Sequence, residues 1–165
     1  FLSLFVDNPS WFFDVEHVTV VNAGVIILLQ LVVSKIVQRA PALPTMIVGI
    51  GFGTLGMAIL SFSDSPWLFI VGIMTFTLGE MTAHPKYNSY IGMIAPPDKK
   101  ALYMGYSFLY GVIGSSIGGF IGAALYVKYV EEMANPSAFY LIFASLGLFS
   151  MIALILYNKF WKSVK

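Results

Sequence analysis

Residues 67–94 read "WLFIVGIMTFTLGEMTAHPKYNSYIGMI". The stretch is long enough to cross a bilayer, because a spanning helix needs about 20 mostly apolar residues. Its middle nevertheless holds Glu80, His84 and Lys86, with Pro85 between the last two. An ionised side chain at the bilayer centre costs at least ~2.5–3.5 kcal/mol. The run is therefore a membrane helix only if these groups look onto protein or water rather than lipid. That condition requires neighbouring helices, and the rest of the chain supplies them.

Outward from this stretch, four further runs have the length and apolarity of spans, near 18–37, 44–62, 101–127 and 137–157. The chain reads as all-α, a polytopic membrane bundle of five transmembrane helices over residues 18–165. Composition agrees: 58% of the 165 residues are hydrophobic and only 10% charged, where a soluble domain carries about 25% charged. The mean hydropathy is +0.84. Pro41, Pro44, Pro66, Pro96, Pro97 and Pro136 fall between runs, where proline is tolerated. Residues 1–17 read as an extracytoplasmic segment, with "FLSLFV" as the tail of a preceding, truncated helix. The chain has no Cys, which excludes disulfides and thiolate metal sites, and no cofactor is expected.

Basic residues set the orientation. Lys35, Arg39, Lys99, Lys100, Lys159, Lys162 and Lys165 fall at one set of helix ends, and Lys128 alone at the other. The bias places the first set, and the C-terminus, in the cytoplasm. The expected location is the plasma membrane, the inner membrane of a bacterium. Glycines cluster in two helices, with Gly49 and Gly53 in one and Gly114, Gly118 and Gly122 in the other. At this spacing small residues let helix backbones approach closely, so both faces are expected to pack, and to slide or rock where a transporter moves.

At 100° per residue Glu80 and His84 share one face, and Thr77, Tyr87 and Asn88 extend it. Lys86 is turned about a third of a turn away. Pro85 removes a backbone bond and kinks the helix beside His84. A polar, kinked midpoint is the pattern of a buried binding site or ion path. Glu80, His84, Lys86, Tyr87 and Asn88 are thus candidates for binding substrate or protons, and Asn22 on the first helix joins them. Gln30, Tyr103, Ser107 and Tyr110 are candidates for a cavity wall, although each could serve only helix packing. Glu80 and His84 could share a metal ion, but no second pair of ligands accompanies them.

The five-helix pattern with basic loops resembles the C-terminal half of a major facilitator superfamily transporter, from its eighth helix to its twelfth. More narrowly, "LGEMTAHPKYNSYIGMIAPPDKKALYMGYSFL", residues 78–109, resembles the tenth and eleventh helices of proton-dependent oligopeptide transporters. Leu78, Gly79, Glu80, Pro85, Tyr90, Ala95 and Pro96 carry the match. The resemblance implies that Glu80 lies in a central cavity and takes part in substrate binding, and that Asn22 stands where an asparagine lines the site. His84 departs from the serine usual there, and Lys86, Tyr87 and Asn88 from small or apolar residues.

The expected function is secondary active transport, a proton-coupled symport of a small solute or peptide by alternating access. Its partners would be the substrate, protons, the lipid bilayer and an N-terminal transporter half in the same or a separate chain, with no role for nucleic acid. Desolvation disfavours a carboxylate and a nearby cation favours it, so Glu80 beside His84 and Lys86 could trade partners as substrate or proton arrives. A non-transporting scaffold subunit would instead keep the polar stripe paired and dry. An intramembrane enzyme would need a nucleophile or metal cluster beside Glu80 and His84, and the sequence offers neither.

Overall fold

The computed structural model describes residues 15–164; the side chains of 15–19, 21, 22, 25 and 161–164 fall outside the description. Among the described residues the regular elements are all helical. α1 spans Val15–Val37, α2 Ala42–Ser61, α3 Pro66–Ile94, α4 Lys100–Tyr126 and α5 Pro136–Val164. A 3₁₀ turn, Pro97–Lys99, precedes α4, and a π-helical turn, Val127–Glu132, follows it. Four helical stretches are long and apolar enough to span a bilayer, and the described part of α1 adds the apolar run Ile26–Val37. α5 runs on past Tyr157, where the apolar sequence ends, because a helix need not stop where its hydrophobicity does.

Local chemistry explains the boundaries. Pro41 is extended at the N-cap of α2, and Thr45 Oγ1 donates back to the Pro41 carbonyl at 2.7 Å. Ser65 caps α3, its Oγ accepting from the Leu68 amide at 3.3 Å, with Pro66 at the first helical position. There the missing N–H of proline is no loss. At the far end of α4 the chain reverses through Ala134, among the described residues the single non-glycine one with positive φ, 49°. Asn135 Oδ1 then accepts from the Ala138 amide at 3.1 Å and starts α5.

α2 and α3 form the closest pair, α5 lies against α2, and α1 and α4 lie against α3. Glycine makes the central contact possible. A Cβ on Gly79 would stand 2.5 Å from both the Gly49 carbonyl oxygen and the Gly53 amide nitrogen. A turn and a half away, a Cβ on Gly56 would stand 2.5 Å from the Phe76 amide nitrogen. Backbone meets backbone at these points, and no side chain could yield to make room. The glycine face of α4 behaves otherwise. A Cβ on Gly114 or Gly118 would meet nothing within 4 Å, and one on Gly122 only the ring of Phe143, at 3.7 Å. The expectation that both glycine faces pack is met for α2 and not for α4 within the described chain. α4 sits at the edge of the bundle, with Ser107 its one buried residue.

The outer faces are apolar. Leu31 and Phe120 are each 79% exposed and Phe149 72%. Water-exposed proteins rarely show contiguous apolar surface on this scale, whereas hydrocarbon accepts it. Polar ties close the bundle. Ser61 Oγ donates to the Ser137 carbonyl at 2.9 Å, joining the end of α2 to the start of α5. The hydroxyls of Tyr90 and Tyr157 bond at 2.9 Å between α3 and α5.

Candidate functional site

α3 carries its charged midpoint to the junction of four helices. A cavity of about 590 Å³ lies there, walled by Ile26 and Gln30 of α1, Met46 and Ile50 of α2, and Tyr110 of α4. α3 contributes Thr77, Glu80, Met81, Ala83, His84, Pro85 and Tyr87. The volume falls in the range of small-molecule sites, about 300–1,000 Å³. The i, i+4 spacing that puts Glu80 and His84 on one helical face here puts both on one wall. Neither is buried. Among the described residues, none forms an ion pair or hydrogen bond with the Glu80 carboxylate. Thr77, one turn before Glu80, is only 1% exposed and also lines the cavity. Tyr87 of α3 and Tyr110 of α4 also line the cavity, their rings leaning on each other with centroids 4.3 Å apart and planes at 57°.

Glu80 has a second outlook. A neighbouring cavity of about 460 Å³ lies between α2, α3 and α5, lined by Gly49, Gly53, Gly79, Phe76, Phe143 and Gly147 among others, and it shares Ile50, Glu80 and Ala83 with the first. The acid thus borders two adjoining spaces, one residue from the close approach at Gly79.

The sequence candidates separate in the structure. Glu80, His84, Tyr87, Gln30 and Tyr110 meet on the first cavity. Gln30 Nε2 also donates to Ser34 Oγ along its own helix at 3.1 Å. Tyr103, Ser107 and Asn88 are off that lining, and Ser107 Oγ donates to the Met104 carbonyl at 2.7 Å. Asn22 lies outside the residues whose side chains are described. Met46, Ile50 and Met81, part of the wall, carry no sequence signal that sets them apart from core residues.

Lys86 differs most from its expected place. It does not meet Glu80. Its side chain is 5% exposed and its Nζ donates to the carbonyls of Ala40 at 2.7 Å and Gln38 at 3.2 Å, in the turn joining α1 to α2. The carbonyls at a helix C-terminus carry partial negative charge and lack intrahelical donors, so they suit an ammonium without an acid partner. Lys86 fastens α3 to that turn. Hydrogen bonds to charged groups contribute about 1.5–3 kcal/mol. Replacing Lys86 with Met, of similar length, should therefore lower unfolding stability by about that amount, read by thermal or denaturant unfolding of the purified protein. An unchanged midpoint would show the contact to be idle.

Among the described residues no three His, Asp or Glu side chains gather to hold a metal ion. The site offers one carboxylate, one imidazole, hydroxyls and aromatic faces in an open-sided space. That set can bind a solute and pass a proton.

Comparison with known proteins agrees with the architecture. Residues 11–163 match the family model described as Major Facilitator Superfamily. Over 101 residues the chain is 30% identical to a Bacillus subtilis (strain 168) protein described as an uncharacterized MFS-type transporter, YqjV. That match covers 59% of this chain and 25% of the relative, so the chain spans about a quarter of its length. No solved structure matches. With the family model covering nearly its whole length, this chain of apolar helices is an integral membrane protein and belongs to the Major Facilitator Superfamily of transporters.

Proposed function

We propose that the chain forms the solute-binding face of a proton-coupled transporter working by alternating access, with Glu80 as the group that takes up and releases the proton. The observation that carries this reading is the place of Glu80: unpaired among the described residues, on the wall of a cavity of molecular size, with His84 one turn away. A carboxylate held in that position at membrane depth exacts a standing cost, and a solute or proton relieves it. Glu80 borders a second, adjoining space, which suits a group that serves two access states in turn. The basic helix ends face the cytoplasm, as the charge bias implies, and a further half of the transporter completes the wall on the open side.

The sense of coupling follows from the charge of the solute. A solute that carries its own carboxylate frees Glu80 to hold a proton, and the two travel together, which is symport. A cationic solute competes with the proton for Glu80, and the two travel in opposite directions. The partner exchange expected between Glu80 and Lys86 is left to His84, since Lys86 is engaged with Gln38 and Ala40. Peptide transport is supported by the motif over residues 78–109 alone.

The test is uptake by the full-length protein in vesicles under an imposed pH gradient, with a radiolabelled panel of dipeptides, sugars and organic cations. At least one solute should accumulate, and a protonophore should abolish its accumulation. Uptake indifferent to the protonophore for every solute would refute proton coupling.

A further inference from the structure

We infer that the solute bound against Glu80 is a lipophilic cation, an aromatic or alkyl ammonium or phosphonium; this rests on the transport reading above and deepens it. The titratable groups on the lining are Glu80, His84 and Tyr87 of α3 and Tyr110 of α4, and α1, α2 and α5 add none among the described residues on either cavity. The one permanent cation of the midpoint, Lys86, is turned into the α1–α2 turn and satisfied there by two carbonyls. Glu80 is therefore the one acid on the wall, and no described lysine or arginine on the lining opposes it. No described cation is present to receive an anionic group.

The rest of the wall has the matching chemistry. Met46, Met81, Ile26 and Ile50 present apolar surface. Thioethers adapt to irregular ligands and favour aromatic contacts. Tyr87 and Tyr110, 4.3 Å apart and tilted, present ring faces at the cavity edge, and aromatic faces attract cations within about 6 Å of the centroid. A sugar or a zwitterionic peptide would need several fixed donors and acceptors, and a carboxylate partner. Among the described residues on this lining, Gln30 offers one side-chain amide and Thr77 one aliphatic hydroxyl. Entry of the cation displaces the proton from the Glu80 carboxyl to water, so charge is conserved at the site and the coupling runs as exchange.

The experiment is equilibrium binding to the full-length protein in nanodiscs, corrected against empty nanodiscs. The probes are tetraphenylphosphonium and tetraphenylborate, which share shape and apolar surface and differ in sign. Tetraphenylphosphonium should bind saturably and at least about tenfold more tightly than tetraphenylborate. Glu80→Gln should lose about tenfold or more of that affinity. Tyr110→Ala should weaken it about threefold or more. Lys86→Met, checked for folding, should bind as the parent does. Equal binding of the two probes, full affinity in Glu80→Gln, or no saturable tetraphenylphosphonium binding would overturn the inference. The two readings fail separately. Protonophore-sensitive uptake of a neutral or anionic solute without tetraphenylphosphonium binding removes the cation and keeps the transporter. Glu80-dependent binding without gradient-driven uptake of any solute does the reverse.

Discussion

Replacing Glu80 with Gln in the full-length protein should reduce gradient-driven uptake by on the order of a hundredfold. The substitution is nearly isosteric, so the α2–α3 contact beside it is preserved and only the charge and the proton site are removed. A charge-assisted hydrogen bond is worth up to about 3 kcal/mol, and about 1.4 kcal/mol is tenfold; losing it gives about two decades. The residual uptake should be independent of the pH gradient, since an amide neither takes up nor releases a proton in the working range. Glu80→Asp should fall between, because it keeps the carboxylate but withdraws it by one methylene from the cavity. Asn88→Ala serves as the control. Asn88 shares the polar stripe in sequence but is off the cavity lining, and its loss should leave uptake unchanged. Gradient-driven uptake that persists in Glu80→Gln would remove the acid from the mechanism; a matching loss in Asn88→Ala would place the site elsewhere on α3.

That contrast between Glu80 and Asn88 also marks how far the sequence could be read. The helices were legible because lipid demands long apolar runs, and the proline and serine residues between them mark their ends. The Glu80–His84 stripe was legible because a helix repeats every 3.6 residues, so four positions on return to the same face. Tyr110 and Gln30, on α4 and α1, reach the cavity by tertiary packing, and their sequence signal was only that a polar group stood inside a span. Lys86 shows where local reading stops. Its neighbours in sequence suggest an ion pair with Glu80, yet its long stem carries the ammonium to the carbonyls of Gln38 and Ala40. Nothing in the periodicity of α3 encodes a partner 46 and 48 residues earlier in the chain. The glycines teach the same lesson. α2 and α4 carry small residues at the same spacing, and only α2 finds a backbone against it. Spacing states that a close approach is possible, and the fold decides which helix makes it.

Gly79→Ala should be the most damaging single-methyl change in the chain, costing about 3 kcal/mol or more of unfolding free energy. Overpacking a well-filled site typically costs about 1–3 kcal/mol, and here the usual relief is missing. The added methyl would stand 2.5 Å from the Gly49 oxygen and the Gly53 nitrogen and 3.0 Å from the Gly53 Cα. All three are backbone atoms, so no rotamer can move aside and the two helices must separate along their whole contact. Gly92→Ala on the same helix supplies the comparison, because its methyl would meet nothing within 4 Å. There the only effect is the intrinsic gain of alanine over glycine in a helix, about 0.5–1 kcal/mol. The two substitutions have the same chemistry and opposite expected signs, and thermal unfolding of the purified full-length variants reads the difference directly. Gly79→Ala as stable as Gly92→Ala would mean that α2 and α3 are not in backbone contact. The consequence would reach the site, since Glu80 follows Gly79 immediately. The same close approach that excludes a methyl fixes where the Glu80 carboxylate borders the two cavities, and helices that stood further apart would move it from that place.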